Sequence, residues 1–397
     1  MKKINTIGQK EIDAVVNVMS NGNLSEFNAG WGEGFYGGEQ VQLLEQSICK
    51  KFNVNHAITV NSWSSGLLIA VGSLGLEPGD EIIVSPWNMC STVTSILQWL
   101  CVPVFCDIDS ATFSIDPKKL ESCITPRTRA IIANDMHGRS CDLAPILSIA
   151  KKYDLKVISD SAQSIGSIYN GQYSGTIADI GGFSFNWHKH INCGEGGVVI
   201  TNNDFLAKKM QLLRNHAEGV VTEAGLPLNN MIGFNFRLTE IQAAIIIEQL
   251  KKLDDIIVIR QQNAKKIIDI LSEFNEHVLL PIEHNNWTNV FCSFPMVFKN
   301  KRHRENIYQQ LKMSNYPVTK QFSRGPVHRL PVFKNKTIFG KTDIPWCFNE
   351  NSYQYIDGIC PIAELLADDY FLDLSMEYSY SSIDLQEIKN VFSNTII

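Results

Sequence analysis

Lys189 lies in the run Phe183-Ser184-Phe185-Asn186-Trp187-His188-Lys189-His190-Ile191-Asn192-Cys193-Gly194-Glu195-Gly196-Gly197. An amine five residues after a serine and just before a Gly-Glu-Gly-Gly turn has the layout of a Schiff-base site. The ε-amine condenses with an aldehyde, and the hydroxyl of Ser184 reaches a phosphate on the same molecule. Pyridoxal 5′-phosphate (PLP) carries both groups. Alone, such a lysine could equally sit where a strand meets a loop, so the inference depends on the rest of a PLP pocket.

Asp160 supplies the next part, closing the run Val157-Ile158-Ser159-Asp160-Ser161-Ala162-Gln163. A carboxylate at a strand's carboxyl end can pair with the pyridine nitrogen, favour the protonated ring and so make a better electron sink. Gln163, three residues on, can meet the hydroxyl side of the ring. Taken singly, Asp160 also suits a helix N-cap. Ser64 and Ser65 follow a β-branched run and open a helix, where hydroxyls and free amides bind phosphate, though serines there are also ordinary caps. Asn235 and Arg237, in Gly233-Phe234-Asn235-Phe236-Arg237-Leu238-Thr239-Glu240, suit either a turn with a surface ion pair or an anion reached across a subunit boundary. Glu195 fixes its glycine turn. The histidines His137, His188, His190 and His328 lie in polar loops, and no pair has metal-ligand spacing on a helix.

These residues need a scaffold. From about residue 55 to 215, short β-branched runs (57–60, 82–84, 102–105, 130–132, 157–159) alternate with stretches of helical spacing (65–74, 91–100, 117–124, 145–153). Such alternation predicts an α/β fold, a mostly parallel sheet between helices, with ligands at the carboxyl ends of its strands. Residues 238–253 form a helix apolar on nearly every face, which requires burial inside a domain or between subunits. Beyond Asp254 the texture changes to a long helix (256–271), a strand (291–298), a charged helix (302–313), a loop-rich stretch (319–358) and a final amphipathic helix (382–393). The expected division is a large domain, 1–253, and a smaller α+β domain, 254–397.

The chain has 397 residues, 44% of them hydrophobic, enough for a large core. A net charge of −6 and the lack of long Lys/Arg runs argue against a nucleic-acid groove or a membrane-surface helix. No apolar stretch is long enough to span a bilayer, and the N-terminus lacks a signal-peptide core, so a cytoplasmic location is expected. The ten cysteines are scattered without a CxxC pair and read as reduced, buried thiols; Cys193, beside Lys189, is the only one placed for chemistry, and even there packing is the expected role.

In order along the chain, Gly37-Gly38-Glu39-Gln40-Val41, Asn61-Ser62, Pro78-Gly79-Asp80-Glu81, Val104-Phe105-Cys106-Asp107-Ile108, Asp160-Ser161-Ala162-Gln163, the Lys189 segment, Asn235 to Ala244 and Pro326-Val327-His328 resemble the DegT/DnrJ/EryC1/StrS family of sugar aminotransferases, of fold type I. The resemblance implies that Lys189 bears the cofactor and Asp160 faces its pyridine nitrogen. It gives Gln163 to the ring oxygen, Ser64, Ser65 and Ser184 to the phosphate, and Asn235 to the phosphate of the neighbouring subunit in a homodimer. His328, Arg237 and Trp87 become the expected substrate contacts.

Three departures stand out. Trp63 and Ser64 replace the family's usual glycine and threonine. Met89 stands where a ring-stacking aromatic is common, with Trp87 two residues earlier as the alternative stacking residue. Asp135-Met136-His137-Gly138 replaces the usual His-Leu-Tyr-Gly loop. Retention of Lys189, which some members exchange for histidine to become dehydrases, favours transamination. The expected reaction moves an amino group from glutamate to a keto-sugar, most simply nucleotide-linked. The rivals are a cyclitol or free keto-sugar aminotransferase, an aminobenzoate-forming dehydratase, and a PLP-binding regulator without turnover. A Rossmann dehydrogenase is disfavoured because no GxGxxG follows the first strand.

Overall fold

The β-branched runs assemble as expected. The computed structural model describes residues 1–228, 230–281 and 286–396. Its main sheet has seven strands: β1 (His56–Val60), β2 (Glu81–Val84), β3 (Val102–Phe105), β4 (Thr128–Asn134), β5 (Lys156–Asp160), β6 (Ile180–Ser184) and β7 (Gly197–Thr201). Their spatial order is β1-β7-β6-β5-β4-β2-β3. From β6 to β3 all neighbours are parallel, whereas β7 runs antiparallel to both β1 and β6. Strands buried on both faces read as continuous apolar runs. That made β1 to β5 visible in the sequence; Gly181 and Gly182 hid β6, and the Val198-Val199-Ile200-Thr201 run of β7 was not read as a strand.

Helices α1 (Gln9–Asn21), α2 (Glu39–Phe52), α3 (Trp63–Ser73), α4 (Cys90–Gln98), α5 (Leu143–Lys152), α6 (Asp204–Arg214) and α7 (Glu240–Lys251) surround this sheet. Thr239 and Gln242 form a capping box that starts α7. The apolar surround of α7 is covered from within its own chain. Val41, Leu44 and Ile48 of α2 share a core with Ala243, Ile246, Ile247 and Leu250. On the α1 side, buried Gln249 donates to Glu11 Oε1 at 2.8 Å. Of the two kinds of burial expected for such a helix, inside its own chain or between subunits, the first is therefore found.

Helix α8 (Leu253–Leu271) connects two cores: Leu253, Ile256 and Ile257 belong to the first, Ala264, Ile267 and Leu271 to a second. The second core lies against an antiparallel sheet of β8 (Val278–Leu279), β9 (Ser293–Phe298), β10 (Val318–Thr319) and β11 (Phe371–Ser375), ordered β8-β9-β11-β10. Helices α9 (Lys301–Met313) and α10 (Ser382–Ile396) complete it. Strand periodicity then sorts the side chains. Phe294, Met296, Leu372 and Leu374 enter the second core, while Ser293, Asp373 and Ser375 turn toward the large sheet.

The loop-rich stretch does not behave as a free substrate loop. Val327, Phe333, Trp346 and Tyr355 join the core of the large sheet, and Tyr355 donates to the Pro103 carbonyl at 2.8 Å. No helix among the described residues is long and apolar enough to cross a membrane.

Candidate active site

A cavity of about 740 Å³ opens at the carboxyl ends of β4, β5 and β6, roofed by β9, β10 and β11. Asp160, Gln163, Ser184 and Lys189 all line it, so the four residues on which the sequence argument leaned most converge. The Lys189 amine has no hydrogen-bond or ion-pair partner among the described residues, although the side chain is half-buried. Burial, with the charges of Lys189 and Arg260 nearby, pushes the His188 pKa down to about 4 and leaves that ring neutral beside the lysine. Burial raises Cys193 to about 12, so its thiol stays protonated and serves packing.

Asp160 is 5% exposed and held from both sides. Oδ1 accepts from Trp63 Nε1 at 2.7 Å, and Oδ2 accepts from Thr92 Oγ1 at 2.6 Å. A carboxylate has about four acceptor positions, so these donors fix its plane and leave room for another. Sequence reasoning missed Trp63 and Thr92. The signal for Trp63 was its replacement of a glycine, noted without a role. Room for the indole comes from Gly182, where any Cβ would overlap the Trp63 ring and the Val198 carbonyl. Gly182→Ala is expected to cost about 3 kcal/mol by overpacking and to loosen Asp160. Melting of the cofactor-free protein tests this, and an unchanged midpoint would refute it.

The phosphate candidates separate. Ser62 caps α3, its hydroxyl accepting from Ser65 N at 3.1 Å. Ser62, Trp63 and Ser64 line the cavity where the first amides of the helix have no intrahelical acceptor. Ser65 does not line it: its hydroxyl donates to Asn61 Oδ1 at 2.7 Å, which corrects its expected phosphate role. Ser184 Oγ accepts from Asn186 N at 3.3 Å, and its own proton remains available. Gln163 Oε1 accepts from His137 N at 3.0 Å, which turns its NH₂ outward as a donor. An unpartnered amine, a fixed buried carboxylate, an oriented amide and a helix N-terminus with two hydroxyls match the aldehyde, pyridine nitrogen, ring oxygen and phosphate of PLP.

Met89, half exposed, lines the cavity, while Trp87 is 2% exposed and does not. Trp87 packs instead between Phe113, Phe322 and Phe371, so the expectation that it touches substrate is corrected, and Met89 is the one of the two that faces the cavity. His328 is wholly buried, its Nε2 3.0 Å from Glu364 Oε1, which also accepts from Cys360 N. It fixes the turn before β11 and does not reach the cavity, correcting a second substrate expectation. Arg237 is directed to Asn215 Oδ1 at 2.9 Å, and Asn235 is exposed, both outside the cavity of their own chain. Of the 319–358 stretch, only Thr319 and Phe322 line the cavity.

The profile of the DegT/DnrJ/EryC1/StrS aminotransferase family matches residues 10–349. The chain belongs to that family. It is a PLP-dependent aminotransferase, as Lys189 and its neighbours led us to expect. Among curated relatives, GDP-perosamine synthase of Caulobacter vibrioides is 38% identical over 225 residues, 57% of this chain and 60% of that protein. The spore coat polysaccharide biosynthesis protein SpsC of Bacillus subtilis is 30% identical over 373 residues, covering 91% of this chain and 92% of the relative. The solved structure of 3-amino-5-hydroxybenzoic acid synthase superposes with a TM-score of 0.84 at 20% identity, over 100% of this chain and 98% of that one. At that identity it supports the fold type I architecture alone.

Proposed function

We propose that this aminotransferase carries an amino group from glutamate to a keto-sugar, most simply a nucleotide-linked keto-deoxyhexose destined for a surface polysaccharide. The observation that carries this reading is the unpartnered Lys189 amine facing the fixed Asp160 carboxylate in one cavity large enough for cofactor and sugar together. The names of the relatives, a GDP-perosamine synthase and a spore coat polysaccharide protein, favour the substrate class.

When bound, PLP supplies an electron sink for the carbon that loses or gains the amine. The protein supplies the rest. Lys189 Nζ would hold the cofactor covalently and, when free, would serve as the base and acid that moves the proton. Asp160 would hold charge at the ring nitrogen, the Gln163 NH₂ would donate to the ring oxygen, and Ser64, Ser184 and the α3 amides would hold phosphate. Neutral His188 adds no charge that would oppose the protonated amine. Because one pocket serves both substrates in turn, ping-pong kinetics follow. The test is incubation with PLP, glutamate and UDP-, dTDP- or GDP-linked 4-keto-6-deoxyhexoses. Release of 2-oxoglutarate with an aminated nucleotide-sugar is expected; amination of scyllo-inosose alone, or no amine transfer, would overturn the reading.

The working unit in this proposal is a homodimer, each cleft lying between a 1–253 unit, against whose sheet residues 327–355 also pack, and the remainder of a 254–397 unit. Asn235, which the family resemblance gives to the cofactor phosphate of a neighbouring subunit, is exposed and lies outside its own cavity, which supports that reading. Mixing inactive Lys189→Ala with a badly impaired Asn235→Asp variant is then expected to restore activity. One pocket of the mixed dimer carries both defects and the other neither. No recovery after verified subunit exchange, or a fully active monomer, would assign the whole site to one chain.

A further inference from the structure

The loop that departs from the family pattern, Asp135 to Gly138, lines the cavity with Asp135 and Met136 and joins its floor to its roof through His137. His137 sits in the left-handed region at φ 57° and is 2% exposed. Its Nδ1 lies 2.7 Å from Ser293 Oγ on β9 and 3.8 Å from Asp373 Oδ2 on β11. Ser293 and Asp373 both line the cavity roof, opposite Lys189 and Asp160 on its floor. The Asp373 side chain is nine-tenths buried; Ser293 and the Phe294 and Leu374 amides lie close enough to offset part of its burial, yet its Oδ1 has no hydrogen-bond partner within normal geometry among the described residues. No lysine or arginine forms an ion pair with it among the described residues. A buried carboxyl oxygen without a donor is costly, and such a group persists where a ligand supplies one.

We propose that Asp373 and Ser293, set in place by His137, bind a hydroxyl of the keto-sugar and serve only the sugar half of the reaction. The proposal rests on the keto-sugar reading above. The chemistry separates the two substrates of the pocket. A sugar hydroxyl both donates and accepts, so it satisfies an orphan carboxyl oxygen in either protonation state. Glutamate's side-chain carboxylate has no proton to give, and against an ionised Asp373 it would be repelled. Burial pushes Asp373 up to about 7 and His137 down to about 3, so at neutral pH the histidine does not neutralise its neighbour. Strand alternation supplies the orientation: with Leu372 and Leu374 fixed in the small core, Asp373 must face the cavity.

Asp373→Asn and Ser293→Ala test this in the PLP-loaded enzyme, with melting curves confirming the fold. Each half-reaction is followed separately by the cofactor's absorbance, with glutamate and then with the 4-keto-6-deoxyhexose the wild type accepts. We expect the half-saturating sugar concentration to rise about 10-fold or more, as for loss of one buried hydrogen bond. The glutamate half should stay within about 2-fold. Equal losses in both halves, or none in either, would overturn the assignment even if the wild type transaminates. A wild type that accepts none of these sugars would instead remove the keto-sugar reading and this inference with it. If Asp373→Asn does not fold, Ser293→Ala decides between these outcomes.

Discussion

Lys189→Arg is expected to fold, to retain weak cofactor affinity and to lose multiple turnover altogether. The half-buried Lys189 has no ion-pair partner among the described residues, so its replacement leaves no buried charge unpaired. Arginine keeps the positive charge beside the phosphate end of the site. Its guanidinium holds its protons above pH 12 and is too delocalised to attack the cofactor's aldehyde. Both roles of the amine, covalent anchor and proton carrier, therefore disappear together, and their effects are not separable by rate alone. Borohydride reduction separates them: wild-type protein should keep the cofactor's mass on the Lys189 peptide, and the variant should not. Measurable multiple turnover in the variant would end the assignment of Lys189.

For Asp160→Asn we expect a folded, cofactor-loaded protein slowed on the order of 10²-fold or more in both half-reactions, as for loss of a few kcal/mol of charge stabilisation. The structure makes this a clean substitution. The asparagine oxygen can still accept from Trp63 Nε1, and the new NH₂ can donate to Thr92 Oγ1, whose own proton has Asn88 Oδ1 as an alternative acceptor at 3.1 Å. What is lost is the negative charge that the proposal sets at the ring nitrogen. A near-wild-type rate in both halves would reduce Asp160 to a structural anchor for Trp63 and Thr92.

Local chemistry and periodicity, which any reader of the chain can see, determined the sheet's first five strands, most helices and the lysine, carboxylate and amide of the site. β-Branched runs buried on both faces announce parallel strands, and Asp160, Gln163 and Lys189 stand at strand ends, where the fold must deliver them. Long-range packing decided the rest. Which side chains share a cavity depends on contacts between residues hundreds of positions apart, and no local pattern encodes them. His328 and Trp87 carry suitable chemistry, yet Glu364 and a shell of phenylalanines absorb them. The Ser65 hydroxyl is taken by Asn61. The apolar α7 found its cover in α1 and α2, 200 residues earlier, because an apolar face is satisfied by any apolar neighbour and does not specify which chain provides it. Trp63 reached Asp160 only because Gly182 left the space, and Asp373 met His137 only when the small sheet closed over the large one.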